Sequence, residues 1–218
     1  MAASLRQNLA YACGAALVNS WQAWRGTRVL ALGDSFGSRR EPGKSAQVVE
    51  RLQKLNPALR VESLCGPGLG LLDAGVAAGT YARRSFDAAL VFLGPAQIAS
   101  LDDHDNFAEQ ADGALQAIAA VARRPFLVTA FDAGTRAGRV PDRAAAGRVR
   151  WLERTLRHLC ELHGVEWVRL SAEEGSIAAA PEVSDNFSVD GFRPATDRHE
   201  MWTARMLQQP ALAQLVFH

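Results

Sequence analysis

The chain has 218 residues, with 24 Lys and Arg against 23 Asp and Glu and a net charge of +1. That length suits one sizeable α/β domain, and the balance excludes the basic excess that draws a protein to nucleic acid or an anionic membrane. Three cysteines (Cys13, Cys65, Cys160) without C-x-x-C spacing argue against a disulfide framework or zinc knuckle and fit a reducing compartment, and no apolar run nears the ~18 residues of a membrane span.

The first segment is "NLAYACGAALVNSWQAW" (8–24). Leu9, Cys13, Leu17, Trp21 and Trp24 recur at helical spacing, which predicts an amphipathic helix over about 4–24 packed on the domain. Only Arg6 stands ahead of it and no clear small-x-small cleavage site closes it, so it does not read as a secretory signal. A cytoplasmic location is expected. The organisation predicted is residues 1–25 as an appended helix and 26–218 as one domain.

Five short apolar runs come next: "TRVLALG" (27–33), "LRVESLC" (59–65), "FDAALVFLG" (86–94), "RPFLVTAF" (124–131) and "VEWVRL" (165–170). Helical patterns lie between and after them, near 42–55, 68–82, 105–122, 142–163 and 194–208, with Pro194 suited to the first turn of the last. Buried strands alternating with helices predict a parallel sheet covered on both faces. The longest irregular stretch is roughly 171–193, and a loop of that length in a compact domain is often functional. The arginine pairs Arg39-Arg40, Arg83-Arg84 and Arg123-Arg124 lack interleaved aromatics and read as solvated surface.

Ligands of open parallel sheets bind at the carboxyl ends of the strands. Gly33-Asp34-Ser35 ends the first run, where a serine faces the crevice as a nucleophile or simply caps the next helix. "LCGPGLGLL" (64–72) ends the second, and its Gly68 is placed to donate an N–H to an oxyanion or merely to make a tight turn. It is no phosphate loop, because the Lys-Ser/Thr ending is absent. Cys65 reads as a buried, inert thiol. After the third run, "SLDDHDNF" sets His104 among Asp102, Asp103 and Asp105, either as a base oriented by a carboxylate or as a solvated histidine before a helix capped by Asp105 or Asn106. Such consecutive positions converge poorly on one ion, so no metal is expected. His158, His163 and His218 lie on other elements, and His199 sits more than a turn into the last helix.

In this order the pieces resemble the SGNH or GDSL family of serine hydrolases, over about residues 27–207. The resemblance implies a single three-layer α/β/α, flavodoxin-like domain with a five-stranded parallel sheet. It also implies Ser35 as nucleophile, Gly68 as oxyanion donor and Asp190 as the acid in "DGFRPATDRHEMWTARML". Two positions depart from the family pattern. In "VFLGPAQIAS" the oxyanion asparagine falls on Ala96 and the following aspartate on Gln97, which should point elsewhere. In the last block the histidine falls on Arg193, between Asp190 and Pro194.

Arginine stays protonated at neutral pH because its pKa exceeds about 12. Losing a triad base costs on the order of 10⁶ in kcat, and losing one oxyanion donor about 10²–10³. Arg193 either pairs with Asp190 or offers its guanidinium to an anionic ligand. The leading expectation is thus a degenerate or atypical hydrolase-like protein that binds a small acylated or anionic ligand beside Ser35. A second is a working ester hydrolase or acyltransferase with a base such as His104, and a third is an interaction or scaffold protein. A small-molecule ester or anion is the expected partner, without cofactor, nucleic acid or membrane.

Overall fold

The computed structural model describes residues 26–34, 48–94, 97, 104–131, 143–170 and 198–217. The expected helix at 4–24 lies outside them. Five strands form one sheet: β1 (Arg28–Asp34), β2 (Arg60–Gly66), β3 (Phe86–Leu93), β4 (Ala122–Thr129) and β5 (Glu166–Arg169). All are parallel, in the order β2-β1-β3-β4-β5. Each apolar run forms a strand, because a strand covered on both faces has no polar side to alternate with. In β1 every residue after Arg28 is buried. β2, at the sheet's edge, buries far less.

Among the described residues six helices cover the two faces: α1 (Val48–Leu55), α2 (Leu71–Gly79), α3 (His104–Val121), α4 (Arg143–His163), α5 (Arg198–Leu207) and α6 (Pro210–Phe217). On one face α2, α3 and α4 contribute residues such as Leu71, Leu115, Ile118, Leu152 and Leu156 to a core with Leu30, Val91 and Leu127. On the other, α1, α5 and α6 contribute Val49, Leu52, Trp202, Met206 and Leu212 against Val29, Leu90 and Val128. Alternate strand residues thus feed opposite layers, as the period of two requires.

Two helices differ from the pattern in the sequence. The one expected near 68–82 begins only at Leu71, because Gly68 takes φ +76°, outside the helical region. The one expected near 194–208 ends at Leu207 and a further helix, α6, starts at Pro210. Proline lacks the N–H that continues a helix but suits the first position of a new one, so the chain breaks at Gln208–Gln209 and restarts. Pro194 itself lies outside the described residues.

Candidate functional site

Strand order reverses between β1 and β3: the chain runs from β1 outward to β2 and then crosses to the other side of β1. A crevice at the carboxyl ends of these strands is the expected ligand position. Among the described residues, Gly33, Asp34, Cys65, Gly68 and Gln97 stand at or just beyond these strand ends.

Gly33 pairs with Cys65 on one side and Phe92 on the other. It adopts φ +94°, and a Cβ there would lie 2.3 Å from the Phe92 carbonyl oxygen. No other residue fits such an approach. Asp34, the last residue of β1, is buried at 6% exposure opposite Gly66.

The chain leaves β2 through Gly66-Pro67-Gly68-Leu69, closed by the Leu69 N–H donating to the Gly66 carbonyl at 3.3 Å. Proline at the second position and a glycine at φ +76° at the third are the signature of a type II turn. Among the described residues nothing lies within 4 Å of where a Gly68 Cβ would be.

Helix α2 starts immediately after this turn. Asp73 Oδ2 accepts the Gly70 N–H at 2.9 Å, and Gln97 Oε1 accepts the buried Leu71 N–H at 2.8 Å. Two of the donors a helix leaves unpaired at its start are thereby satisfied. Gln97 is 6% exposed, and its own N–H donates to the Gly94 carbonyl at 3.1 Å. A side chain on Gly70 would meet Gln97 Oε1 at 2.6 Å, so the glycine makes room for the amide. The Gln97 amide oxygen is thus turned to the start of α2. Its function as a brace for α2 was not visible in the sequence; the glycine at Gly70 was the one local hint.

Cys65 is the other nucleophile candidate at these strand ends. Burial pushes its thiol up to about 12; a hydrogen bond with Ser63 lowers it somewhat, and the nearby Asp34 carboxylate raises it further. A thiol so poised is protonated and unreactive at neutral pH. His163, by contrast, lies across the molecule at the end of α4, where Nε2 meets Asp112 Oδ1 at 2.8 Å.

Ser35, Ala96, Asp190 and Arg193 lie outside the described residues. His104 is the first residue of α3, on the carboxyl side of the sheet; its side chain is also outside them. Among the described residues no group of three or more His, Cys, Asp or Glu is arranged to hold a metal, and no helix is long and apolar enough to cross a membrane.

The sheet order and the two helical layers define an α/β/α domain with the fold of the SGNH hydrolases. Among solved structures, the chain is similar to Axe2, an acetylxylan esterase from Geobacillus stearothermophilus, with TM-score 0.63 and 15% identity over 89% of this chain and 97% of that one. It is similar to LAE5, an alpha/beta hydrolase enzyme from the metagenome of Lake Arreo, Spain, with TM-score 0.62 and 14% identity over 88% and 97%. A member of the lipolytic protein G-D-S-L family from Veillonella parvula gives TM-score 0.63 and 10% identity over 84% and 97%. No protein-family model matches the sequence, and no curated protein does.

Proposed function

We propose that the protein is an atypical SGNH hydrolase-like protein whose Ser35 crevice binds a small acylated or anionic ligand without a conventional Ser–His–Asp triad. The observation that carries this reading is the hydrogen bond from the Leu71 N–H to Gln97 Oε1. In the hydrolases the sequence resembles, the loop after the third strand gives the oxyanion a side-chain donor. Here Ala96 has none to give, and the buried Gln97 side chain is anchored through its amide oxygen to the start of α2 rather than standing at the family's donor position. Arg193 at the histidine position has no lone pair to take the Ser35 proton.

What remains suits binding. The Gly66–Leu69 turn and the start of α2 set the Gly68 N–H and the positive end of a helix dipole after β2, the strand beside β1. Positioning of this kind without a triad supports only about 10³–10⁴ over the reaction in water. Axe2, an acetylxylan esterase, has been solved as catalytic mutants at a serine and at a histidine. A small acyl ester is the ligand class carried over to this chain, with Ser35 as the serine and no histidine at the matching end.

A fluorophosphonate probe tests the proposal, since it reports activation of the serine and not ligand fit alone. Labelling of the wild type should be slow and close in rate to Ser35→Ala. Rapid, stoichiometric modification of Ser35 would overturn it. If His104→Ala then abolished that rapid labelling, the working-hydrolase alternative would be established with His104 as its base.

A further inference from the structure

At the opposite end of the sheet, Arg28 opens β1 and Arg60 opens β2, and parallel pairing sets them side by side. The registers of β1 with β3 and β3 with β4 continue that row through Asp87 to Arg123. Asp87 is already engaged: Oδ2 accepts the Arg28 backbone N–H at 2.9 Å, and Oδ1 lies 3.9 Å from Arg123 Nη1. No carboxylate of the described residues lies within 4.0 Å of the Arg28 or Arg60 guanidinium. Like charges directly opposite on neighbouring strands repel.

Both arginines line a cleft of about 350 Å³, together with Gln53, Val61, Glu62 and Phe86. The Arg28 guanidinium lies 4.8 Å from the centre of the Phe86 ring, which holds its fork in place. Glu62 is the acid of the lining, and its carboxylate accepts the Tyr81 hydroxyl. Among the described residues the cleft therefore keeps an excess of one positive charge. The chain entering β1 brings no relief, because residues 1–25 contain no Asp or Glu. The other segments outside the described residues, His218 aside, join the described chain at the carboxyl-end side of the sheet.

We propose that this cleft binds the phosphate group of a small soluble molecule. Two guanidiniums from adjacent strands offer diverging sets of N–H donors. A planar carboxylate is satisfied by one such fork, whereas a tetrahedral phosphate has oxygens enough to bridge both. A phosphate monoester, which carries about −1.5 to −2 at pH 7, offsets the excess charge, and the remaining volume, walled by Phe86 and Val61, takes the body that carries it.

The test is a titration of the whole chain at low ionic strength, following the arginine side-chain N–H resonances by NMR and affinity by calorimetry. Inorganic phosphate and glycerol phosphate should shift Arg28 and Arg60 saturably, with acetate about tenfold weaker or worse. Arg28→Gln and Arg60→Gln should each weaken phosphate binding at least about tenfold. Both side chains are exposed, and the Arg28 backbone bond to Asp87 survives the change. Arg123→Gln, outside the cleft, should leave affinity unchanged. The proposal is overturned by unsaturable shifts, by Arg60→Gln binding as tightly as wild type, or by binding confined to phosphatidic acid vesicles.

Discussion

Gln97 Oε1 accepts the Leu71 N–H at 2.8 Å and so ties the segment after β3 to the first turn of α2. The bond is buried, it spans 26 residues of sequence, and it holds the helix that comes after the Gly68 turn. Gly70 stands against the same oxygen, where a methyl group would approach to 2.6 Å.

Removing the acceptor leaves a buried N–H unpaired, which costs about 1–3 kcal/mol. Gln97→Ala is expected to lower the urea midpoint accordingly. Gly70→Ala should be destabilising alone, because it displaces the amide, yet nearly neutral on the Gln97→Ala background, because the obstacle is gone. A double-mutant cycle measures this coupling; additive effects would mean that Gly70 and Gln97 do not act on one contact.

The two positive-φ glycines of the crevice differ in what a side chain would meet. Gly33→Ala places a Cβ 2.3 Å from a backbone oxygen that cannot yield, so a loss beyond about 4 kcal/mol, or failure to fold, is expected. Gly68→Ala meets no atom of the described residues within 4 Å and should lose only the backbone cost of about 1–2 kcal/mol. Equilibrium unfolding of both variants compares them directly, and equal losses would contradict the contact geometry.

Cys160 is 2% exposed, and burial raises its thiol to about 12, with Glu161 adding to the rise. Its ordinary value is 9.0, so above that pH the unfolded chain gives up a proton that the folded chain keeps. The stabilisation is complete below pH 9 and is lost as pH rises towards 12. Between pH 9 and 10 the expected loss is about 1 kcal/mol. Urea unfolding at pH 8, 9 and 10 should show that decline in the wild type and a shallower one in Cys160→Ala.

Arg84 adopts φ 52°, and its N–H donates to the Ala120 carbonyl at 2.8 Å. A left-handed conformation costs a non-glycine residue about 1–2 kcal/mol, against roughly 0.5–1 kcal/mol for the extra chain entropy of glycine. Arg84→Gly should therefore raise stability by about 0.5–1 kcal/mol, seen as a higher denaturation midpoint with unchanged slope. Destabilisation would show that the arginine side chain contributes more than its backbone costs.

The last expectation concerns chemistry. On the proposed reading, Arg193→His should set an imidazole between Asp190 and Ser35, and Ala96→Asn should supply an oxyanion donor. On a small aryl ester the pair is expected to gain at least ~10²-fold, well short of the ~10⁶ of a mature triad. If the wild type is already active and Arg193→His abolishes the activity, Arg193 is itself functional and binds an anion. A folded double variant that stays inert would mean that the crevice differs by more than its missing side chains.

The sequence alone determined the five strands and the two-sided helical cover. Each rests on contiguous residues: apolar runs such as "VLAL" and "ALVFL" set strand burial, and Gly66-Pro67-Gly68 sets its turn through the φ preferences of proline and glycine. The restart of the chain at Pro210 obeys the same local rule, although the helical pattern by itself reaches only to 208. Tertiary structure alone decided that Gly33 faces the Phe92 carbonyl, that Gln97 braces Leu71, and that Arg28 and Arg60 stand in one row. The physical reason is register. A local preference is encoded where it acts, but the partner of a side chain or a bare Cα is whatever the neighbouring strand or loop brings opposite it. Residues 26 or 32 apart meet only once the sheet has fixed that alignment.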